Sequence, residues 1–375
     1  SQLLKSGAMI SMGGTTLAAG EYQLLTTKDD LKAITSPGKT IASIAWDTGV
    51  VTVTLSEAHG WTIGGTIPLV VSGVTPAGYN RAVTGTVTTT TAFTYPLATD
   101  PGTATVMGTV KTVAANEIIQ MNTTFWAQGT TRAVYVLELG DVSVSAAVAA
   151  LADFIDDDIS LGNTYQKFFS YLVPREWDGE ATFKTLTGLY TSPASLVYFF
   201  ITTTIATYQA WVATKNKSVV AGVESTSIPD GEFSMAFPFQ SSLANDPGSS
   251  NMVPPMAYRF GYGVTEYPVE GNGTLLKQLQ DNSINYVGTA AEGGLSNKML
   301  VAGHTLDGNP FNTEYEKGAY AGNAVINAVP FANYTSLNPS DYADGKYNGL
   351  SAVMTPRRGF ESITFNVNVT NFVGA

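Results

Sequence analysis

The chain has 375 residues, which is enough for two or three domains with separate hydrophobic cores. It contains no cysteine, so disulfides, thiolate metal sites and cysteine nucleophiles are excluded. The formal net charge of −11 argues against nucleic acid as a partner, because phosphate contacts need clustered Lys and Arg. No apolar run reaches the roughly 20 residues that a membrane-spanning helix needs, so no membrane partner is expected.

The first part of the chain, residues 1–40, is a short mixed segment. A strand is indicated around Tyr22, and a brief helix over Lys28–Ile34, for which Thr26 or Thr27 supplies the N-cap. Side-chain oxygens at such positions accept hydrogen bonds from the first free N–H groups of a helix.

The segment from Ile41 to Val113 has a different character, because apolar residues alternate with threonines. The alternation is clear at Val51 and Val53, and turns such as Gly64-Gly65 separate the runs. Strands of about five to eight residues with few helix formers between them predict a small β-sandwich or barrel. We assign residues 41–114 to an inserted all-β sandwich domain, which should face outward because insertions are tolerated at surfaces.

Residues 115–315 combine strands with helices and are assigned to a central body. Buried strands are predicted at Ala133–Leu139, Phe168–Val173, Leu196–Ile201 and Asn285–Gly288. Helices are predicted after an N-cap at Asp141 or Ser143, and over Ala181–Tyr190, Ala206–Lys217 and Thr274–Asn282. Strands that alternate with helices of this length predict a mixed α/β fold, with a three-layer body around a partly parallel sheet.

Two kinds of motif could indicate a phosphate-binding or a metal-binding site. Gly38-Lys39-Thr40 matches the end of a phosphate-binding loop, but Ala33 stands where that pattern needs its first glycine, so a surface turn is favoured. Asp156–Asp158 could ligate Ca²⁺ or Mg²⁺, but no glycine-spaced ligand loop follows, so a solvated helix end is favoured. Asp341 and Asp344 make a similarly weak case. We therefore predict no metal and no cofactor.

The chain has two histidines, His59 and His304. His59 precedes Gly60 and Trp61 in the β-rich segment and is interpreted as a turn residue that packs on the indole. His304 follows Gly303 at a predicted strand end, where catalytic residues occur in α/β proteins. An α/β hydrolase-like enzyme that uses His304 with a carboxylate is therefore one alternative function.

The last stretch of the chain is a regular strand pattern. Four apolar residues alternate with three polar ones: Ile363, Phe365, Val367 and Val369 against Thr364, Asn366 and Asn368. Successive side chains of a strand point to opposite faces, so this run has one apolar and one polar face. Such a strand can complete its own sheet, or it can pair with an exposed edge on another molecule.

Several segments, taken in their order along the chain, resemble one protein family. The early body contributes Asn122–Gly129 and Ala133–Leu139, and the middle of the chain contributes Asn285–Gly294. The C-terminal part contributes Asn327–Phe331, Asn338–Tyr342 and Thr355–Phe360, followed by the terminal strand. Together these segments resemble the contractile phage tail sheath family over most of the chain outside the insert. The insert itself resembles the immunoglobulin-like modules that decorate many virion proteins.

The resemblance implies a structural protein and not an enzyme. Copies of the chain would form hexameric rings that stack around a tail tube protein and contract to drive the tube into the host envelope. Baseplate and tail terminator proteins would be further partners. The protein would need no cofactor, assemble in the cytoplasm of the bacterial host and reside in the virion. Residues 1–40 and 316–375 would complete an inner domain that faces the tube.

Neighbouring subunits of such sheaths are laced by exchanged terminal strands, which agrees with the regular pattern of Ile363–Val369. The resemblance implies a packing face made of Ile363, Phe365, Val367 and Val369. It implies a face toward solvent or the tube made of Thr364, Asn366 and Asn368. Arg357 and Arg358 would contact a tube surface of opposite charge.

One departure from the family concerns Tyr315 and Glu316, which are adjacent here although family members usually carry a partly helical segment between the equivalent residues. A second alternative function is a non-contractile virion or surface protein whose β-domain is adhesive. Electron microscopy separates these classes, because a sheath self-assembles into wide hollow cylinders.

Overall fold

The computed structural model of the chain is a mixed α/β protein. It describes residues 6–35, 38–129, 132–160, 168, 170–189, 197–211, 219–223, 231–244, 260–269, 271–282, 284–292, 295–301, 349–354 and 363–368. Within these ranges, strands and helices form a large sheet, a closed barrel and a two-stranded ribbon.

The first eight strands are β1 (Gly7–Ser11), β2 (Tyr22–Leu25), β3 (Lys39–Asp47), β4 (Val50–Leu55), β5 (Thr66–Ser72), β6 (Arg81–Val87), β7 (Ala92–Pro96) and β8 (Thr109–Thr112). They are followed by β9 (Val134–Glu138), β10 (Ser170–Leu172), β11 (Tyr198–Thr202), β12 (Val219–Val223), β13 (Asn285–Glu292), β14 (Leu295–Val301), β15 (Gly349–Met354) and β16 (Ile363–Asn368). The α-helices are α1 (Val113–Ala127), α2 (Val144–Ser160), α3 (Ala181–Leu189), α4 (Ile205–Trp211), α5 (Ala236–Ala244) and α6 (Gly273–Asp281). Short 3₁₀ helices cover Lys28–Ala33, Ala77–Tyr79 and Arg175–Trp177.

The large sheet has the strand order β14-β13-β12-β11-β10-β1-β9-β2. Its six inner strands run parallel, and the two outer strands, β2 and β14, are antiparallel to their neighbours. Met9 of β1 lies opposite both Val136 and Leu172. The sequence predicts that residues 1–40 belong to an inner domain, whereas the structure places Gly7–Ser11 in the middle of the body's sheet. The buried partners of this strand come from segments far away in sequence, so local patterning does not reveal it.

Two hydrophobic clusters lie on opposite sides of the sheet, and successive residues of β1 alternate between them. Ala8 and Ile10 belong to the first cluster, which includes residues of α2, α3, α4 and α6. Met9 belongs to the second, which includes residues of α1 and α5. A sheet that is covered on both sides explains the unbroken apolar runs of strands such as Tyr198–Thr202.

The β-rich segment forms a closed six-stranded barrel in the order β3-β4-β7-β6-β5-β8, which corrects the predicted sandwich. Closure occurs because the short strand β8 pairs with β3 on one side and β5 on the other. Buried Val51, Val53 and Phe93 fill the interior. The threonines between them lie outside, and Thr52 is opposite Thr94 on the neighbouring strand. The alternation of apolar and polar residues cannot distinguish a sandwich from a barrel, because both folds bury one face of every strand.

Other predicted elements are confirmed with small shifts of their ends. The strand at 133–139 is β9, and Ser143 caps α2, since Ala146 N–H lies 3.4 Å from its Oγ. The brief helix after Thr27 is a 3₁₀ helix, with Thr27 as its N-cap. Asp30 accepts hydrogen bonds from the hydroxyls and N–H groups of Thr27 and Thr26, which hold the pKa of its carboxyl well below the usual range.

The two ends of the barrel lie next to each other. Lys39 at the start of β3 pairs with Val110 of β8, and paired residues of antiparallel strands are about 4.5–5.5 Å apart. Thr112 ends the barrel and also caps α1 by accepting from Ala115 N–H at 3.1 Å. Below the barrel, α1 is held directly to the first 3₁₀ helix, because Asn122 donates to the Lys28 carbonyl at 2.9 Å.

This arrangement predicts that the barrel can be excised. A chain in which three glycine and serine residues replace residues 39–112 should fold, because the ends to be joined are already adjacent. We expect circular dichroism to show retained helix and a cooperative thermal transition. A matched variant, Val51→Asp, should unfold the barrel alone by placing a charge in its interior. Loss of the helical signal in the excised chain would show that the body needs the barrel to fold.

Candidate functional site

The terminal strand predicted from the sequence is present as β16, and its partner is β15 of the same chain. The two strands are antiparallel, with Met354 opposite Ile363 and Gly349 opposite Asn368. We call this pair of strands the terminal ribbon. Among the residues that the structure describes, the ribbon forms a sheet of its own with two strands, so each strand has one edge without a strand neighbour.

The register gives the terminal ribbon two different faces. Three cross-strand pairs at alternate positions are apolar: Leu350 with Val367, Ala352 with Phe365, and Met354 with Ile363. The pairs between them contain Asn366, Asn368 and Thr364. Residues at alternate positions share a face, so the ribbon has an apolar face and a more polar one. Two-stranded ribbons are marginally stable by themselves, and a further strand or a packing partner is needed to stabilise this one.

Several residues selected from the sequence lie outside the described ranges. They are Val369 of the terminal strand, Arg357, Arg358, His304, Asp341 and Asp344. Their predicted roles stay predictions. The aspartates after Phe154 lie at the end of α2, where Asp156 is exposed.

Two other selected motifs have structural roles. Gly38-Lys39-Thr40 leads into β3 and not into a helix, and Lys39 forms an ion pair with Glu57 at 3.1 Å. His59 stacks on Trp61 with ring centres 4.4 Å apart, as predicted. Its Nδ1 accepts from the Trp61 N–H at 3.0 Å, and its Nε2 lies 2.8 Å from the Thr89 carbonyl. These contacts fix the loop between β4 and β5.

A buried carboxylate at the carboxyl ends of β1 and β9 was not found from the sequence. Glu138 is 1% exposed and accepts five hydrogen bonds. The donors are the Ser11 hydroxyl (2.7 Å), the Gly13 N–H (2.6 Å), the Thr15 N–H (3.1 Å) and hydroxyl (2.7 Å), and the Gly140 N–H (2.7 Å). We call this set of donors the Glu138 cradle. The sequence shows the parts of this site, a single Glu at the end of an apolar strand and the run Ser11–Thr15, but it does not show that they meet.

A second polar network surrounds Arg175, just after β10. Its guanidinium contacts the Glu117 carboxylate at 3.0 Å and the Gln120 side-chain oxygen at 3.1 Å, and it lies over the Phe233 ring. It also donates to the Glu232 carbonyl at 3.2 Å. These contacts join α1, the loop after β10 and the segment before α5. An Arg that is paired and hydrogen-bonded in this way holds elements together.

The outer antiparallel pair β13 and β14 carries a third polar group. Lys298 donates to Glu266 at 2.9 Å and to the Thr289 hydroxyl at 2.8 Å, and Thr289 donates to the same Glu266 oxygen. The Thr289 hydroxyl, followed by Lys298, holds the pKa of Glu266 below its usual value. The predicted mid-chain signature at Asn285 is the beginning of β13. A lysine on a sheet edge also discourages unspecific edge pairing.

The described residues contain no group of three or more His, Asp or Glu side chains that could hold a metal ion. Among the helices of the same residues, none combines the length and the apolar character needed to cross a membrane. The three polar networks make internal hydrogen bonds that join strands, loops and helices of the body.

The sequence matches no family model and no curated protein. The solved structures that are similar to the chain include two sheath tail proteins. The protein from Desulfitobacterium hafniense is 11% identical, with 98% of this chain and 97% of that chain covered and a TM-score of 0.35. The protein from Listeria innocua is 9% identical, with 98% and 95% covered and a TM-score of 0.38.

The Glu266 group predicts a pH-dependent contribution to stability. Because the pKa of Glu266 is lowered by folding, its contribution is present above the unfolded value of about 4.3 and is lost as the pH falls through the folded value. Glu266→Gln should therefore cost roughly 1 kcal/mol at pH 7, since the pair is partly exposed and solvent screens it. The difference from wild type in urea unfolding should therefore shrink as the pH is lowered below the unfolded value. A difference that is constant with pH would contradict this interpretation.

Proposed function

We propose that the chain is a structural subunit of a contractile tail sheath, which polymerises as stacked rings around a tail tube. Support comes from the order of the sequence segments that resemble this family, from Asn122–Gly129 to Thr355–Phe360. The observation that carries the proposal is the terminal ribbon, which has an apolar face and an edge free of strand neighbours among the described residues. Both features suit a strand that exchanges with a neighbouring subunit.

The energetics of strand exchange fit such an assembly. Each backbone hydrogen bond contributes only about 1 kcal/mol net, but a strand of six residues makes several, and every subunit repeats them. Pairing along a backbone edge gives direction and register, while the apolar face supplies burial. Strands that stay paired allow the subunits around them to rotate as rigid bodies, so a lattice can change its shape and remain connected.

Contraction in this proposal draws on a metastable assembled state and not on nucleotide. Gly38-Lys39-Thr40, the motif that matches part of a nucleotide-binding loop, leads into a barrel strand and so plays a structural role. The energy for contraction would be stored when the extended rings form, because kinetic barriers hold an assembly in a state that is not its most stable one.

The remaining assignments follow from the same proposal. The three-layer body over residues 115–315 would form the ring, the inner domain completed by residues 316–375 would face the tube, and the insert at 41–114 would face outward. Arg357 and Arg358 would contact an acidic surface of the tube. Baseplate and terminator proteins would bind the two ends of the polymer. Assembly would occur in the cytoplasm of the host, and the product would reside in the virion.

A non-contractile virion or surface protein is the second candidate, and the barrel is the observation that favours it. The outer face of the barrel carries threonines in register, such as Thr52 and Thr94, and few charges. An adhesive module would use that face, and the body would only support it. Single particles without rings would favour this second candidate.

The terminal ribbon gives a matched pair of variants. Phe365→Asp adds a charge to the apolar face, and Asn366→Asp adds the same charge to the other face. We expect wild type and Asn366→Asp to form wide hollow cylinders in negative-stain electron microscopy. Phe365→Asp should form none, because an unpaired charge opposes burial of that face. Circular dichroism of both variants should match wild type.

A chain that ends at Phe360 extends this test, because it removes β16 entirely. It should remain folded and should not form cylinders. Equal assembly by Phe365→Asp, Asn366→Asp and the truncated chain would contradict strand exchange. Monodisperse particles from wild type under all conditions would contradict the sheath proposal itself.

A further inference from the structure

The Glu138 cradle lies at the carboxyl edge of the parallel sheet, which is the edge where open α/β sheets bind ligands. The connection from β1 to β9 contains α1, which covers one side of the large sheet. The connection from β9 to β10 contains α2, which covers the other side. The chain leaves β1 toward β9 but leaves β10 toward β11, so the winding reverses between β1 and β10, next to the strand pair that carries the cradle. Ligands of such sheets bind outside the carboxyl ends of the strands at this reversal. The loop of residues 11–15 follows β1 directly at that end.

The cradle consists of donors alone. Three donors reach one oxygen of the Glu138 carboxylate: the Ser11 hydroxyl and both the N–H and the hydroxyl of Thr15. Two reach the other oxygen, the N–H groups of Gly13 and Gly140. In the loop after β1, the N–H groups of Gly13 and Thr15 point at the carboxylate, and the N–H of Gly14 between them is bound to the Ser11 hydroxyl. A carboxylate has about four lone-pair sites, so five donors saturate both of its oxygens.

The backbone of the cradle is shaped independently of Glu138. Gly13 has φ = +76° and Gly140 has φ = +89°, conformations that glycine adopts without strain. A Cβ on Gly14 would lie 2.6 Å from the Ala114 carbonyl oxygen, so this loop packs closely against the start of α1. The Ser11 hydroxyl also accepts from the Gly14 N–H at 3.0 Å. These constraints hold the donors in place when the carboxylate is removed.

We propose that residues 11–15 and Gly140 form a binding site for a small carboxylate, and that the Glu138 side chain is its built-in ligand. The carboxylate of Glu138 thus occupies the position that a free carboxylate would take against the same donors. This inference does not depend on the sheath proposal. It predicts that removal of the Glu138 side chain beyond Cβ leaves an empty site. The atoms removed correspond to an acetate ion, so acetate should fill that site.

The test uses the full chain with Glu138→Ala, and sodium acetate as the probe. Thermal unfolding is followed by circular dichroism in increasing acetate and in sodium chloride at the same ionic strength. Glu138→Ala should melt below wild type, and acetate should raise its melting temperature with saturation. At acetate ten times its dissociation constant, the folding equilibrium constant should rise about tenfold. Chloride should have no such effect.

Two further variants test whether the response to acetate is specific to the Glu138 cradle. Glu57→Ala removes an exposed carboxylate from the barrel and should show no specific response to acetate. Thr15→Val added to Glu138→Ala removes one hydroxyl donor and should weaken acetate binding about tenfold. If Glu138→Ala does not fold in chloride, it is refolded in acetate and in chloride side by side, and recovery in acetate alone supports the site.

Three results would overturn the proposal. They are an equal response of Glu138→Ala to acetate and chloride, an equal failure to refold in both, and a stability of Glu138→Ala equal to that of wild type.

Discussion

The central position of β1 is the constraint on which the rest of the structure depends. This strand of five residues separates the two hydrophobic clusters and pairs with strands on both sides. Ser11 at its end lies beside Glu138, although 127 positions separate the two residues in sequence. The entropic cost of closing such a loop grows only slowly with its length. The cost is lower still here, because the barrel within the loop brings its own two ends together at Lys39 and Val110.

At the carboxyl edge of the sheet, the Glu138 cradle and the Arg175 network hold the loops after β1 and β10 to neighbouring elements. Glu138 holds the loop after β1 to the end of β9, and Arg175 holds the loop after β10 to α1. Buried charged groups contribute little net stability, but leaving one unpaired costs several kcal/mol. Their effect is therefore to specify one register for β1. A slip by one residue would exchange the residues of the two clusters and leave the Glu138 carboxylate without its donors.

Sequence patterns identified those elements whose signals are local. The apolar run of β9 and the N-cap of α2 at Ser143 are examples. β1 was missed because Gly7–Ser11 is short and contains small residues, so its burial comes from distant strands. α5 was missed because it is buried on all sides and contains Pro238, so no amphipathic period appears. The barrel was predicted as a sandwich because one pairing, that of β8 with both β3 and β5, makes the difference.

The terminal ribbon could be predicted only in part, because only one of its two strands has a local signal in the sequence. The alternation in Ile363–Asn368 is a local signal and indicated β16 correctly. Its partner β15 was missed, because Gly349–Met354 has no strict alternation of apolar and polar residues. The Glu138 cradle needs donors from two segments more than 120 residues apart, and a single sequence does not reveal that they meet.

The distribution of charge bears on the polymerisation that we propose for so acidic a chain. The barrel residues 39–112 contain three basic and three acidic residues, so the net charge of −11 lies entirely in the rest of the chain. Neighbouring copies therefore repel one another where their bodies approach within a Debye length, which is about 8 Å at physiological ionic strength. Residues 349–354 and 363–368 contain no charged side chain. Contact through this ribbon avoids the repulsion, and backbone hydrogen bonds keep their strength whatever the net charge of the subunits that they join.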